Sequence, residues 1–321
     1  MVVSKHPFIN FGSETFEFSS KKLKLQPMFY RSMIKDKILL DVYKKTKKVL
    51  GGRGLTKFST IRAVKDLANS HLKSEYVTVN GSKMHLDPKD CLKLSINEIF
   101  EPLETNLVKN EVHSDDVVID VGANVGYYTL LMAKLTGQNG KVFSFEPEPS
   151  NFNLLKENVE INSYQNVTLE QKAVANMNGK TKLYLCETNT EMHRLYQSNS
   201  KKFNKSIEVD VTTLDDYFKK SKYLNKINFI KIDAEGSELD VLKGMKTILK
   251  ENIKLKIMLE FIPRHLLGSG SEPQELIEFL QNQNFQLSYV NQVEKRIEPV
   301  NDPKKLLDSY DDGKNLFCQR I

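Results

Sequence analysis

The loop Asp120-Val-Gly-Ala-Asn-Val-Gly126 constrains this chain more than any other feature, because it stands where an apolar strand, 117–121, gives way to a helix over about 127–135. A second strand over 141–145 and a second helix over 150–161 follow directly. Such alternation implies parallel strands joined by helical crossovers. Within the loop, Gly122 and Gly126 permit a tight turn whose backbone can approach a ligand closely.

Downstream, a strand is expected over 167–174, and two strand-like runs, 181–186 and 206–211, then interrupt the alternation around a polar segment. It resumes with a strand over 229–232, one helix over 237–249, a strand over 255–261, a helix over 273–283 and final strands near 285–290 and 315–321. Upstream, Asn80-Gly81 lies between Tyr76-Val-Thr-Val79 and Lys83-Met-His-Leu86, the strongest short-range signal for a hairpin. Apolar residues recur at helical spacing over 28–50 and 59–72, with Gly51, Gly52 and Gly54 breaking the run between them. The expected division is a basic, mainly helical N-terminal extension (1–75), a β-hairpin with its connecting segment (76–112), and a main domain (113–321).

The 321 residues suffice for one full domain plus a smaller extension, and 40% hydrophobic with 27% charged residues argues against disorder or a membrane-embedded chain. Three scattered cysteines, Cys91, Cys186 and Cys318, suggest neither a disulfide framework nor a zinc cluster. With no secretory signal pattern and no long apolar run, a cytoplasmic protein is expected. The net charge of +6 is uneven: residues 20–75 carry fifteen Lys or Arg against four acids, leaving 32 of the 47 bases against 37 of the 41 acids elsewhere. Such an extension suits weak contact with an anionic polymer or membrane surface, and it has no recognised fold for specific nucleic-acid recognition.

The loop reads D-x-G-x-N-x-G, whereas a dinucleotide site calls for G-x-G-x-x-G. Asn124 replaces the second glycine, and Asp120 would sit poorly beside a pyrophosphate. An acid there suits the ammonium group of a methionine moiety, directly or through water. Glu146 ends the next strand, where its carboxylate can accept hydrogen bonds from ribose hydroxyls in either cofactor class.

With these residues in view, the sequence resembles the FkbM-type methyltransferases, a family of S-adenosylmethionine-dependent O-methyltransferases. The resemblance rests on Val118-Ile-Asp-Val-Gly-Ala-Asn-Val-Gly-Tyr-Tyr-Thr129, Phe145-Glu-Pro-Glu-Pro-Ser-Asn151, Lys231-Ile-Asp-Ala-Glu-Gly-Ser-Glu238, Val241-Leu-Lys-Gly-Met245 and Leu259-Glu-Phe261. It runs from about residue 101 to the C-terminus. It implies an α/β, Rossmann-like class I methyltransferase fold with a mostly parallel seven-stranded sheet and an antiparallel last strand. It also implies S-adenosyl-L-methionine contacts at Asp120, Gly122, Asn124, Gly126 and Glu146, and methyl transfer to a hydroxyl of a sugar, glycan or secondary metabolite. Phe100-Glu101-Pro102 resembles the family segment that precedes the first sheet strand near the cofactor.

Methyl transfer needs alignment of acceptor, methyl carbon and sulfur, and a base that takes the hydroxyl proton helps further. Ligands of open parallel sheets bind beyond the carboxyl ends of the strands, which brings Asp233 and Glu235 beside the expected donor. Asp233 is the leading catalytic residue and a further cofactor contact. Glu235 and His265 are the other proton acceptors, although Glu235 and Ser237 also stand where a helix would be capped. By strand period, Lys231 can pair with Asp233 or orient an anionic substrate. Asp233, Glu235 and Glu260 could hold a divalent cation, but carboxylates near a cationic cofactor are expected without a metal, so none is assigned. The competing readings are a nicotinamide-dependent oxidoreductase, which the loop pattern disfavours, and a non-catalytic module whose extension binds anions.

Overall fold

The computed structural model describes residues 76–320 apart from 98, 188, 191, 198–200 and 308–312. The helices expected over 28–50 and 59–72, and with them the basic extension, lie outside the described residues.

The hairpin forms as Asn80-Gly81 requires, with β1 (Val77–Val79) pairing antiparallel to β2 (Ser82–Met84) and both turn residues at positive φ. Helices Leu94–Asn97 and Pro102–Glu111 fill the segment before the main sheet. The alternation then appears in order: β3 (Val117–Val121), helix Tyr127–Thr136, β4 (Lys141–Phe145), helix Pro149–Ile161 and β5 (Val167–Glu170). The Glu148 side chain caps the second of these helices by accepting from Asn151 N at 2.7 Å.

The strand expected over 167–174 divides. After β5 the chain turns into β6 (Ala173–Val174), which joins β7 (Gly179–Leu185) and β8 (Lys205–Thr212) in a separate three-stranded sheet. This is where the two interrupting runs go: β7 and β8 pair antiparallel along seven positions. The main sheet continues with β9 (Ile227–Ile232), β10 (Lys256–Phe261), β11 (Phe285–Asn291), β12 (Arg296–Pro299) and β13 (Lys314–Arg320). Its order is β12-β11-β13-β10-β9-β3-β4-β5.

The contiguous strands β10, β9, β3, β4 and β5 are parallel, and β13 inserts antiparallel between β10 and β11. Eight strands therefore stand where seven were expected. The extra one, β12, pairs with β11 at the sheet edge and has mostly exposed residues, so it lacked the buried apolar pattern that betrays a strand in sequence. The helix expected over 237–249 is two helices, Glu238–Lys243 and Lys246–Glu251, because Gly244 and Met245 leave helical geometry between them.

Every residue of β3 is buried, as expected for a strand covered by helices on both faces. Val117, Ile119 and Val121 join the core cluster that includes Ile230, Leu239 and Leu259, whereas Val118 joins the opposite cluster with Leu131, Phe229 and Met258. Burying each such side chain contributes roughly 1.5–3 kcal/mol. The two-residue period then decides where the polar residues go. Asp120 follows Val118, Lys231 follows Phe229 and Glu260 follows Met258, so three charged residues share one face near the carboxyl ends of three neighbouring strands.

Candidate active site

Asp120 and Lys231 are direct partners across β3 and β9. Asp120 is fully buried, and its Oδ2 accepts from Thr129 Oγ1 at 2.6 Å. Its Oδ1 has no hydrogen-bond partner among the described residues. Burial pushes this carboxyl above its ordinary value, although Lys231 and Thr129 pull the other way. An unpaired carboxylate oxygen in a closed site is costly, and a ligand ammonium group or its bound water would satisfy it.

Lys231 Nζ donates to Asp233 Oδ2 at 3.0 Å and lies 4.9 Å from the centre of the Tyr128 ring. The lysine therefore pairs with Asp233, one of the two roles expected of it. Burial alone would lower its pKa, but the carboxylates of Asp233, Asp120 and Glu101 more than offset that and hold the ammonium firmly charged. Glu101, at φ 42°, accepts from the Tyr128 hydroxyl at 2.8 Å. Burial raises its pKa to about 7 despite the pull of Lys231.

The loop itself is braced by Glu146. One carboxylate oxygen accepts from Asn124 N at 2.8 Å and the other from Glu148 N at 2.9 Å. Each oxygen retains a second lone pair, so the same side chain can still accept from a ligand. Burial raises its pKa to about 7, with the two backbone N–H groups opposing the shift. Asn124 takes φ 50°, a conformation asparagine tolerates better than most side chains.

Gly122 meets a second constraint besides lining the cavity. A Cβ there would lie 1.8 Å from the Asp233 carbonyl oxygen, and φ is +75°. Two strand ends therefore approach closely at a glycine that also stands on the cavity wall. Gly126, at φ +99°, would direct a Cβ to 2.7 Å from Leu155 Cδ1, and it does not line the cavity.

A cavity of about 240 Å³ opens against Asp120, Gly122, Asn124, Glu146, Asp233 and Glu235. One water needs only roughly 10–15 Å³ by a comparable measure, so the space suits an organic ligand. Glu101, Tyr128, Lys231 and Glu260 line it as well.

Behind Asp233 a second cluster gathers. Glu235, at φ 50°, has its Oε2 3.7 Å from Arg194 Nη2 and 3.2 Å from His265 Nδ1. Arg194 is held between the rings of Phe203 and Tyr196, at 4.2 and 5.1 Å from their centres. Burial, reinforced by Arg194, lowers the His265 pKa to about 4, so the imidazole is neutral near pH 7. Burial together with Asp233, Glu235 and Glu238 raises Glu260 well above the usual carboxylate range.

Neither Glu235 nor Ser237 caps the following helix through its side chain. Glu238 Oε1 instead braces the preceding turn, accepting from Ala234 N at 3.1 Å and Gly236 N at 3.0 Å. The three carboxylates considered together in the sequence also separate: Asp233 turns to Lys231, while Glu235 and Glu260 share a cluster with His265. Sequence reasoning missed Arg194, Tyr128 and Glu238. Arg194 sits in a polar segment with no readable pattern, and Glu238 looks like any acidic residue in a first helical turn.

The described residues contain no helix long and apolar enough to cross a membrane. Methyltransferase 1 of Beauveria bassiana is 28% identical over 147 residues, covering 41% of this chain and 59% of that protein. Methyltransferase sdnD of Sordaria araneosa is 26% identical over 202 residues, covering 54% and 75%. Hexuronic acid methyltransferase AglP of Haloferax volcanii is 29% identical over 145 residues, covering 45% and 56%. The chain thus spans under two thirds of the first and third of these relatives. The Methyltransferase FkbM domain family matches residues 120–287, more than half of the chain. With Asp120 and Glu146 ending adjacent parallel strands around the loop between them, the chain belongs to the FkbM methyltransferase family, whose methyl donor is S-adenosylmethionine.

Proposed function

We propose that the protein is an O-methyltransferase that moves the methyl group of S-adenosylmethionine to a hydroxyl of a sugar, glycan or secondary metabolite. The observation that carries this reading is Asp120 Oδ1, a buried carboxylate oxygen without a hydrogen-bond partner on the cavity wall. It fits a cationic amino-acid moiety. Glu146, one strand away, has lone pairs left for ribose hydroxyls. The name of the Haloferax volcanii relative supports a uronic acid or related sugar as the acceptor class.

Bound S-adenosylmethionine supplies an activated methyl group on its sulfonium. The protein's own part is to align the acceptor, exclude water and accept a proton. Asp120 and Glu146 hold the donor, Asn124 positions the loop between them, and Gly122 and Gly126 shape its backbone. Asp233 would accept the acceptor's hydroxyl proton while the bound donor supplied the methyl group. Lys231 orients Asp233 from below through its 3.0 Å bond. His265 is less suited to that proton because a pKa of about 4 makes the imidazole a weak base, and Glu235 stands beside Arg194. The three free cysteines support a cytoplasmic setting.

Calorimetry with S-adenosylmethionine and with NAD tests the cofactor, and incubation with labelled donor and fractionated glycans and metabolites tests the acceptor. Preferential binding of NAD would overturn the reading. A basic extension that attaches the protein to an anionic surface belongs to the same proposal, and salt-sensitive binding lost on removing residues 1–75 tests it.

A further inference from the structure

Glu235, Glu260 and His265 each present a ligand atom within 4.8 Å of the other two. They come from three separate places: the turn after β9, the end of β10 and helix Pro263–Ser269. Two atoms each about 2.1 Å from one ion lie about 3.4 Å apart in tetrahedral geometry, so the largest gap needs to close by no more than about 1.4 Å, within reach of side-chain rotation.

Proximity of acids is not by itself a site, and His265 supplies the independent observation. It is only 5% exposed, and neither ring nitrogen makes a hydrogen bond among the described residues. Nδ1 stands 3.2 Å from Glu235 Oε2 without bonding to it in hydrogen-bond geometry. Glu260 Oε2 is likewise buried and without a hydrogen-bond partner. A buried imidazole whose two nitrogens go unused, facing carboxylate oxygens, leaves polar groups uncompensated in a way that a cation would repair.

Asp233 is bonded to Lys231. Asp233, the residue that sequence spacing brought to mind as a ligand, is not part of the set.

We infer that Glu235, Glu260 and His265 form a binding site for a divalent first-row cation such as Mn²⁺ or Zn²⁺, at the wall of the cavity that holds the methyl donor. Mixed nitrogen and oxygen donors suit these ions better than Mg²⁺, which prefers oxygen alone. Three protein ligands leave coordination positions open, and Glu235 and Glu260 both line the cavity. On the methyltransferase reading, the acceptor hydroxyl would occupy one of those positions.

The test uses full-length protein freed of metal with EDTA and titrated with MnCl2 or ZnCl2, without methyl donor or acceptor. One ion per chain is expected, and pulsed electron paramagnetic resonance of the Mn²⁺ complex should carry modulation from an imidazole nitrogen. Glu260→Gln and His265→Gln should each weaken binding at least about tenfold, since even groups that only support a metal ligand cost that much when lost. Asp233→Asn should bind within about threefold of wild type, a factor set by losing one nearby screened charge. Absence of a stoichiometric ion, absence of the nitrogen signal in wild type, or loss of binding in Asp233→Asn but not in folded His265→Gln would overturn the site. Because ion binding is read without S-adenosylmethionine, a separate donor titration distinguishes failure of the metal site from failure of the methyltransferase reading.

Discussion

Replacing Gly122 by alanine adds a single methyl group, yet the structure makes it a demanding change. The new Cβ would lie 1.8 Å from the Asp233 carbonyl oxygen and 2.9 Å from its carbon. Ordinary contact begins at 3.4 Å, so the two strand ends must separate by 3.4 − 1.8, or 1.6 Å, if nothing else moves. That shift falls on the bond from Asp233 N to Val121 O, 3.0 Å long, which ties the end of β9 to the end of β3. Holding a residue with a side chain at φ +75° costs a further roughly 1–2 kcal/mol, and overpacking typically costs about 1–3 kcal/mol. The expected loss is therefore about 2–5 kcal/mol of unfolding free energy, together with weaker donor binding as Asp233 and Lys231 are displaced. Urea denaturation followed by donor calorimetry measures both. Gly126→Ala should cost less, since the atom in its way is the flexible end of Leu155. Stability within about 1 kcal/mol of wild type with unchanged donor affinity in Gly122→Ala would refute the reasoning, because surface-like tolerance is incompatible with a backbone collision.

Glu146→Ala should weaken donor binding by roughly 1.5–3 kcal/mol, the worth of charged hydrogen bonds, and calorimetry on the folded variant would detect it. Because the Glu146 pKa is raised to about 7, its proton is held more tightly in the folded ligand-free protein than in the unfolded chain. Its contribution to stability is thus complete below about pH 4.5 and lost as pH rises through about 7. Ribose hydroxyls favour the ionised form, so donor affinity should fall as pH drops below 7, and Glu146→Gln should flatten that dependence. Asp233→Asn should lower the methyl-transfer rate by about two orders of magnitude or more while leaving most donor affinity, as single-turnover kinetics with parallel calorimetry would establish. Rate and affinity both near wild type would exclude Asp233 as base and as anchor. Glu101→Gln should weaken donor binding about tenfold or more by removing one charge from the group around Lys231, whereas unchanged affinity would confine Glu101 to holding Tyr128.

Local chemistry determined much of this protein. Asn80-Gly81 announced a hairpin, the strand-loop-helix order around Asp120–Gly126 announced a parallel sheet, and the sequence D-x-G-x-N-x-G separated the loop from dinucleotide sites. These features are legible because turn geometry and hydrophobic period act over a few residues. The two-residue period even placed Lys231 beside Asp233. What the sequence concealed depends on residues far apart in the chain. The edge strand β12 has little apolar pattern of its own and exists by pairing with β11. Gly122 answers to a carbonyl 111 positions away as well as to the cavity it lines, a collision visible only when β3 and β9 lie side by side. Likewise, Arg194, Glu235, Glu260 and His265 carry no common spacing, and only the crossing of their separate loops and strand ends brings their charges together. Periodicity decides which face a side chain takes, whereas long-range packing decides which side chains share a low-dielectric pocket and therefore which groups can bind or react.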